Sequence, residues 1–118
     1  MASMKEKRLY ERISLSNLSG SVELMETLKP ISIVNASEDG VCICGADFPV
    51  GSVVRLAIDP AEDSPNISLY CKVVWTSKKK DPAKKSGLSF LNTNKILFRK
   101  DLISFTKLVD SARKQAAL

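Results

Sequence analysis

Residues 67–75 read Ile-Ser-Leu-Tyr-Cys-Lys-Val-Val-Trp, and this stretch decides the fold class. Every second residue from Ile67 to Trp75 is apolar, and the residues between them are mostly polar. Successive side chains of an extended chain point to opposite sides, so this alternation is typical of a strand with one buried face. The sequence therefore predicts a β-strand here, with Trp75 among its buried residues.

Shorter strand-like runs lie on both sides of this stretch. They begin at Val22 and close with the apolar pair Leu88 and Phe90, and we expect Phe90 to be buried like Trp75. The intermediate runs cover 31–34, 41–46 and 54–58. Pro30 is expected to interrupt the first two runs, and a polar loop over 59–66 separates the last from the opening stretch. Several short strands with polar turns between them predict a small barrel or sandwich.

The hydrophobic period changes near the C-terminal end. A stripe of apolar residues there is spaced 4, 3, 4, 3 and 4 residues apart: Phe98, Leu102, Phe105, Val109, Ala112 and Ala116. This spacing predicts an amphipathic helix, with Asn94 placed to cap its start. The stripe suits packing on the sheet, and a seam between two copies of the chain stays open as the alternative.

Composition narrows the class of protein. The chain has 118 residues, which suits a single domain, and a net charge of +5, which favours an anionic partner. Three cysteines and no histidine predict neither a disulfide framework nor a metal site, and the commonest general base of enzymes is missing. Without an apolar run long enough to span a bilayer or an apolar signal-peptide core, we expect a cytoplasmic protein with no membrane insertion.

Two short motifs carry groups suited to ligand binding. Arg8 and Arg12 are four residues apart, and a guanidinium donates in a fork that fits a phosphate or the edge of guanine. Asn35, Ser37 and Gly40 follow in a stretch that we expect to be a turn between two strands. There the amide and the hydroxyl would be aimed at a ligand, and Gly40 would allow a positive φ.

Arg-x-x-x-Arg followed by Asn-x-Ser-x-x-Gly resembles the ligand signature of the PilZ domain family, whose members are small β-barrels that bind cyclic di-GMP. Residues 87–90, Gly-Leu-Ser-Phe, resemble the Gly-x-x-Phe of the last barrel strand in that family. In the family, the position before the first arginine influences how many ligands bind. The resemblance implies that the residues contacting cyclic di-GMP are Lys7, Arg8, Arg12, Asn35, Ser37 and Gly40.

The same resemblance implies a mainly β fold, a six-stranded antiparallel barrel with a flexible N-terminal arm and a C-terminal amphipathic α-helix. A single domain over 1–118 would divide into the arm over 1–19, the barrel over 20–92 and the helix over 95–116. The implied function is that of a stand-alone bacterial receptor and adaptor. Such a protein binds cyclic di-GMP, uses no other cofactor, and signals by conformational change to an effector protein that the sequence does not identify.

Two alternatives use other features of the chain. A basic barrel that binds nucleic acid is suggested by the net charge and by lysine runs at 78–80 and 84–85. Aromatic residues make up only 6% of the chain, which argues against it because such barrels stack bases on several exposed aromatic rings. The other alternative is a protein–protein adaptor that acts through the C-terminal helix without a ligand. The same helix could join copies of the chain into a homo-oligomer.

Overall fold

The computed structural model describes residues 13–14, 18–59, 66–78 and 82–116. Within these ranges the elements follow in the order β1 (Ile13–Ser14), β2 (Ser19–Leu24), β3 (Thr27–Ser37), β4 (Gly40–Cys44), β5 (Val53–Asp59), β6 (Ile67–Thr76), β7 (Ser86–Phe90), α1 (Thr93–Leu97) and α2 (Arg99–Ala116). No helix in this part of the chain is both long and apolar enough to cross a membrane.

Six strands close into an antiparallel barrel in the order β3, β2, β5, β6, β7 and β4, with β4 pairing back onto β3. Closure depends on the length of β3, which has eleven residues. Its first half pairs with β2 and its second half pairs with β4, with Ser32 belonging to both ladders. The predicted mainly β fold, a six-stranded barrel followed by a helix, is confirmed.

The strand β3 runs further than the sequence suggested. Pro30 lies inside it, where β3 is paired with β2 alone, so the missing N–H interrupts no second ladder. Asn35 and Ser37 are also strand residues, and the connection to β4 is only the two residues Glu38 and Asp39. The expected break at Pro30 was therefore wrong, because the ladder with β2 keeps that part of the chain extended. The expected turn over 35–40 is confirmed only at Glu38 and Asp39, because the ladder with β4 holds Asn35 and Ser37 in β3.

The core fills the inside of the barrel. In β6 the predicted alternation holds from Ile67 to Val73, where every second residue is buried. It then fails, because a register shift between Val73 and Trp75 turns the end of the strand. Trp75 is 41% exposed, so the prediction that it is buried was wrong. Phe90 is half-buried and packs edge-on against Phe105 of α2, with ring centroids 5.0 Å apart.

The C-terminal stripe packs on the barrel. Phe105 and Val109 are fully buried in the core, while Leu102 and Ala112 are partly buried against it. Packing of this stripe on the sheet is thus confirmed, whereas self-association of the chain and the segment boundaries stay predictions. The helix starts at Arg99, after a separate short helix, because the backbone at Phe98 leaves the helical conformation (φ −129°, ψ 42°).

Asn94 joins the short helix α1 to the barrel instead of capping α2. Its side-chain oxygen accepts a hydrogen bond from the Tyr70 backbone N–H at 2.9 Å, and its Nδ2 donates to the Tyr70 carbonyl at 2.8 Å and to the Leu91 carbonyl at 3.0 Å. The side chain is fully buried. The Asn94 amide therefore pairs with the backbone of Tyr70 as a neighbouring strand would. The prediction that Asn94 caps the long helix was wrong.

We expect Asn94→Ala to lower the free energy of unfolding by about 1–3 kcal/mol, because it leaves the buried Tyr70 N–H without an acceptor. Asn92→Ala is the matched control. Asn92 is exposed, stands at the N-terminal cap of α1 and makes no capping hydrogen bond through its side chain, so its loss should change stability by less than about 0.5 kcal/mol. Urea unfolding followed by far-UV circular dichroism measures both. Equal losses in the two variants would contradict this account.

Candidate functional site

The second motif lies on the outside of the barrel. Ala36 is fully buried in the core, so the side chains of Asn35 and Ser37 on either side of it point out of the barrel at the end of β3. Asn35 is half-buried, whereas Ser37 is covered and only 1% exposed. Gly40, the first residue of β4, is paired directly with Ser37. The structure thus brings the three predicted motif residues in its described part together on one outer surface.

A row of paired residues crosses this surface from Asn35 to Trp75. Asn35 is paired with Cys42, Cys42 with Gly87, and Gly87 with Trp75. Residues directly opposite each other in antiparallel strands share a face, so all four lie on the outer side of the barrel. Cys42 and Gly87 in the middle of the row are buried, while Asn35 is half-buried and Trp75 is exposed. Three strand spacings separate the ends of the row, about 14 Å in total. We call this the ligand row, since it joins a polar amide at one end to an exposed indole at the other.

A second row lies beside the ligand row. Ser37 is paired with Gly40, Gly40 with Ser89, and Ser89 with Lys72. Lys72 is exposed, and Ser89 is half-buried. The second row therefore adds a hydroxyl donor and a cation on the same outer surface, both of which suit a phosphate.

Two glycines on this surface allow close contacts that a larger residue would block. A Cβ on Gly87 would lie 2.0 Å from Nε1 of Trp75, so only glycine lets the indole rest on the strand. A Cβ on Gly40 would lie 2.3 Å from the carbonyl oxygen of Leu88 on the neighbouring strand. In the described part of the chain, the glycines with positive φ are Gly45 and Gly51. The expectation that Gly40 serves a positive φ was wrong, because its need for glycine comes from the close approach of two strands.

The turn after Ser37 is held from two sides. The Ser37 hydroxyl donates to a carboxylate oxygen of Asp39, and the Asp39 backbone N–H lies 3.4 Å from the same hydroxyl oxygen. Glu38 forms a two-pronged ion pair with Arg113 of α2, which also lies 3.5 Å from Asp110. The motif turn is therefore fixed to the C-terminal helix, and a ligand that binds Ser37 has to compete with Asp39.

The first motif lies outside the described residues, so the assignments of Lys7, Arg8 and Arg12 stay predictions. The strand β1, which follows Arg12 directly in the sequence, is part of the segment predicted to be an arm. Its two residues, Ile13 and Ser14, are paired with Ala36 and Asn35. The chain that carries the arginines therefore enters the sheet beside the ligand row.

Sequence reasoning missed Trp75 and Lys72 as members of this surface. Trp75 looked like a core residue because its spacing matched the buried side of β6. In the described ranges no group of three or more His, Cys, Asp or Glu side chains is placed to hold a metal ion. Burial raises the pKa of the Cys71 thiol, which keeps it protonated and unreactive at neutral pH. The groups on the surface are suited to binding a planar base and a phosphate.

Comparison with known proteins gives a family and a fold. The sequence model of the PilZ domain family matches residues 6–108 of the chain. The structure superposes on the PilZ domain of YcgR from Escherichia coli, solved with c-di-GMP, with a TM-score of 0.72 at 14% identity over 93% of this chain and 94% of that one. No protein among the curated sequences matches.

Two longer chains show the same fold. YcgR from Escherichia coli in complex with c-di-GMP gives a TM-score of 0.69 at 16% identity over 94% of this chain and 50% of that one. The inhibitor of motility MotI/DgrA from Bacillus subtilis gives 0.67 at 20% identity over 94% and 52%. This chain thus spans about half the length of either protein.

Proposed function

The chain belongs to the PilZ domain family, and on that basis we propose that it is a bacterial receptor for cyclic di-GMP that signals to a protein partner. PilZ domains are ligand-binding and adaptor domains, and one that superposes on this structure was solved with c-di-GMP. The observation that carries the proposal is the ligand row. It places the Asn35 amide and the Trp75 indole on one outer surface, with Ser37 and Lys72 beside it.

The chemistry of the ligand fits this surface. Cyclic di-GMP carries two guanines and two phosphates. One guanine would stack on the exposed indole of Trp75, which lies on Gly87 and so offers its outer face. The Asn35 carbonyl oxygen would accept from the N1 and N2 hydrogens of the other guanine, while Lys72 would approach a phosphate. The buried Ser37 hydroxyl would reach the phosphate only by exchanging its Asp39 partner.

The arginines complete the site in this proposal. Ile13 is paired with Ala36, and consecutive Cα atoms are about 3.8 Å apart, so in this proposal the Arg12 side chain would reach toward Asn35 and Ser37. Arg8 follows four residues further out, and Lys7 adds a third positive charge. The two guanidinium groups would then bind phosphate oxygens or guanine edges on the side of the ligand that faces away from the ligand row.

Signalling would follow from contacts between the bound ligand and the segment before β1. This changes the surface beside the motif turn, which is also tied to α2 through Glu38 and Arg113. The protein would act in the cytoplasm without catalysis, as an adaptor whose partner recognises the liganded shape. Cyclic di-GMP is the ligand in this proposal, and no other cofactor is needed.

Titration with cyclic di-GMP tests the proposal directly, because Trp75 is the one tryptophan of the chain. We expect saturable heat in calorimetry and a parallel change in tryptophan emission as a guanine stacks on the indole. Trp75→Leu should weaken binding by about fivefold to a hundredfold, since stacking on an aromatic side chain contributes about 1–3 kcal/mol per base. Trp75→Phe, which keeps a ring, is the control and should lose less.

Guanosine monophosphate and a single-stranded oligonucleotide serve as ligand controls, the second one addressing the nucleic-acid alternative. Absence of heat and of an emission change at high micromolar cyclic di-GMP would refute the proposal. Binding with unchanged emission, and with unchanged affinity in Trp75→Leu, would leave the receptor but remove the ligand row from it.

A further inference from the structure

Two strongly exposed apolar side chains are neighbours in α1. Ile96 is 82% exposed and Leu97 is 67% exposed. The next residue, Phe98, turns inward and stacks at a tilt on Tyr70 of β6, with ring centroids 5.3 Å apart. Because the chain is anchored on the barrel directly after the aliphatic pair, Ile96 and Leu97 project away from the barrel into solvent.

Basic side chains lie on both sides of this pair. Lys95 precedes it, and Arg99 and Lys100 follow it, and all three are exposed. The acidic residue nearest in sequence, Asp101, is turned toward the barrel, where its carboxylate accepts a hydrogen bond from the Ser68 backbone N–H at 2.7 Å. The projecting aliphatic pair is therefore surrounded by positive charge.

The outward side of α2 extends this positive surface. Phe105 and Val109 face the core, and the opposite side of the helix carries the exposed residue Ile103. The lysines on that outward side recur every seven residues: Lys100, Lys107 and Lys114. A seven-residue step changes direction by only about 20°, so they line up over roughly 21 Å of helix. Asp110 is the one exposed acidic residue that the structure describes on α2.

We propose that this basic helical face binds reversibly to the surface of an anionic phospholipid membrane. It is made of Lys95, Ile96, Leu97, Arg99, Lys100, Ile103, Lys107 and Lys114. Lysine and arginine near such a surface are attracted to its negative headgroups. Aliphatic side chains beside them enter the boundary between headgroups and acyl chains. The chain lies on the membrane in this arrangement, with α2 parallel to the surface, and does not span it.

The make-up of the face favours lipid over a protein partner. Protein–protein interfaces are enriched in tryptophan, tyrosine and arginine and depleted in lysine. This face has four lysines and three aliphatic residues, and its single arginine is Arg99. The exposed tryptophan of the molecule lies instead in the ligand row. The proposal is independent of cyclic di-GMP, because it uses none of the residues assigned to that ligand.

Vesicle sedimentation tests the proposal on the full chain without nucleotide. The probes are vesicles of phosphatidylcholine alone and of an equimolar mixture with phosphatidylglycerol. We expect binding to the mixed vesicles only, and loss of binding at high salt. Lys95→Gln/Lys100→Gln should reduce binding at least about tenfold, since each basic residue near the surface contributes roughly fivefold. Ile96→Ser/Leu97→Ser should also abolish most of it.

Met25→Ser/Leu28→Ser is the matched control. It removes two exposed apolar residues from the β2–β3 turn and the start of β3, outside the proposed face, and binding should be unchanged. All variants change exposed side chains, and their unfolding midpoints are measured alongside. Failure of the wild type to bind mixed vesicles, or equal binding by Ile96→Ser/Leu97→Ser, would overturn the proposal. Binding to poly-glutamate but not to vesicles would also overturn it, and would assign the face to an acidic protein.

Discussion

Arg8→Ala/Arg12→Ala is expected to bind cyclic di-GMP at least about a hundredfold more weakly than the wild type. Each substitution would remove a charge-assisted contact between a guanidinium and the ligand, which contributes about 1.5–3 kcal/mol to binding. A change of about 1.4 kcal/mol in binding free energy corresponds to a factor of ten in affinity. The single variants should each lose about tenfold or more. Isothermal titration measures the dissociation constants, and the change should be the largest of any pair of surface substitutions.

The matched control removes the same amount of charge elsewhere. Arg55 bonds to Ser68 on the neighbouring strand, and Arg99 is exposed at the start of α2. Arg55→Ala/Arg99→Ala therefore tests whether net charge alone explains a loss. If both double variants bind with the same affinity, the arginine motif makes no specific contact and the proposed closure over the ligand row is wrong.

Phe105→Ala is expected to lower the free energy of unfolding by about 3–5 kcal/mol, a large part of the total for a domain of this size. The Phe105 side chain is fully buried and packs edge-on against Phe90 at the end of β7. Its removal would leave a cavity between α2 and the barrel and would loosen the helix that holds Glu38. Urea unfolding measured by circular dichroism gives the loss.

Ile103→Ala is the control for this helix. Ile103 lies two residues away on the outward side and is exposed, so we expect a loss below about 1 kcal/mol. A loss of similar size in the two variants would mean that the stability of α2 depends on its helical propensity and not on its docking. The packing of the apolar stripe on the barrel would then contribute little.

Much of the fold could be predicted because burial on one side leaves a periodic trace. The alternation in β5 and in most of β6 marks strands with one face in the core. The change to a spacing of three and four residues marks α2, and Phe105 and Val109 lie on its buried side. These elements are predictable because each pattern reports a face that the rest of the chain covers.

The parts of the site that could not be predicted depend on pairing between distant strands. Trp75 faces outward because of a register shift in the ladder of β6 with β7, and no local pattern contains that shift. Asn35 and Ser37 have the composition of a turn, yet the ladder with β4 holds them in a strand. Asn94 resembles a helix cap, whereas its partner Tyr70 lies 24 residues earlier in the chain.

The length of β3 has a practical consequence for experiments in solution. Met25, in the turn between β2 and β3, is 89% exposed. Thr27 and Ser37 are ten steps apart along β3, so about 33 Å of strand lies between the turn that holds Met25 and the motif turn. A fluorophore or an immobilisation tether attached at Met25 would therefore leave the outer surface around Asn35 open, so the same preparation can be used on a sensor chip and in free solution.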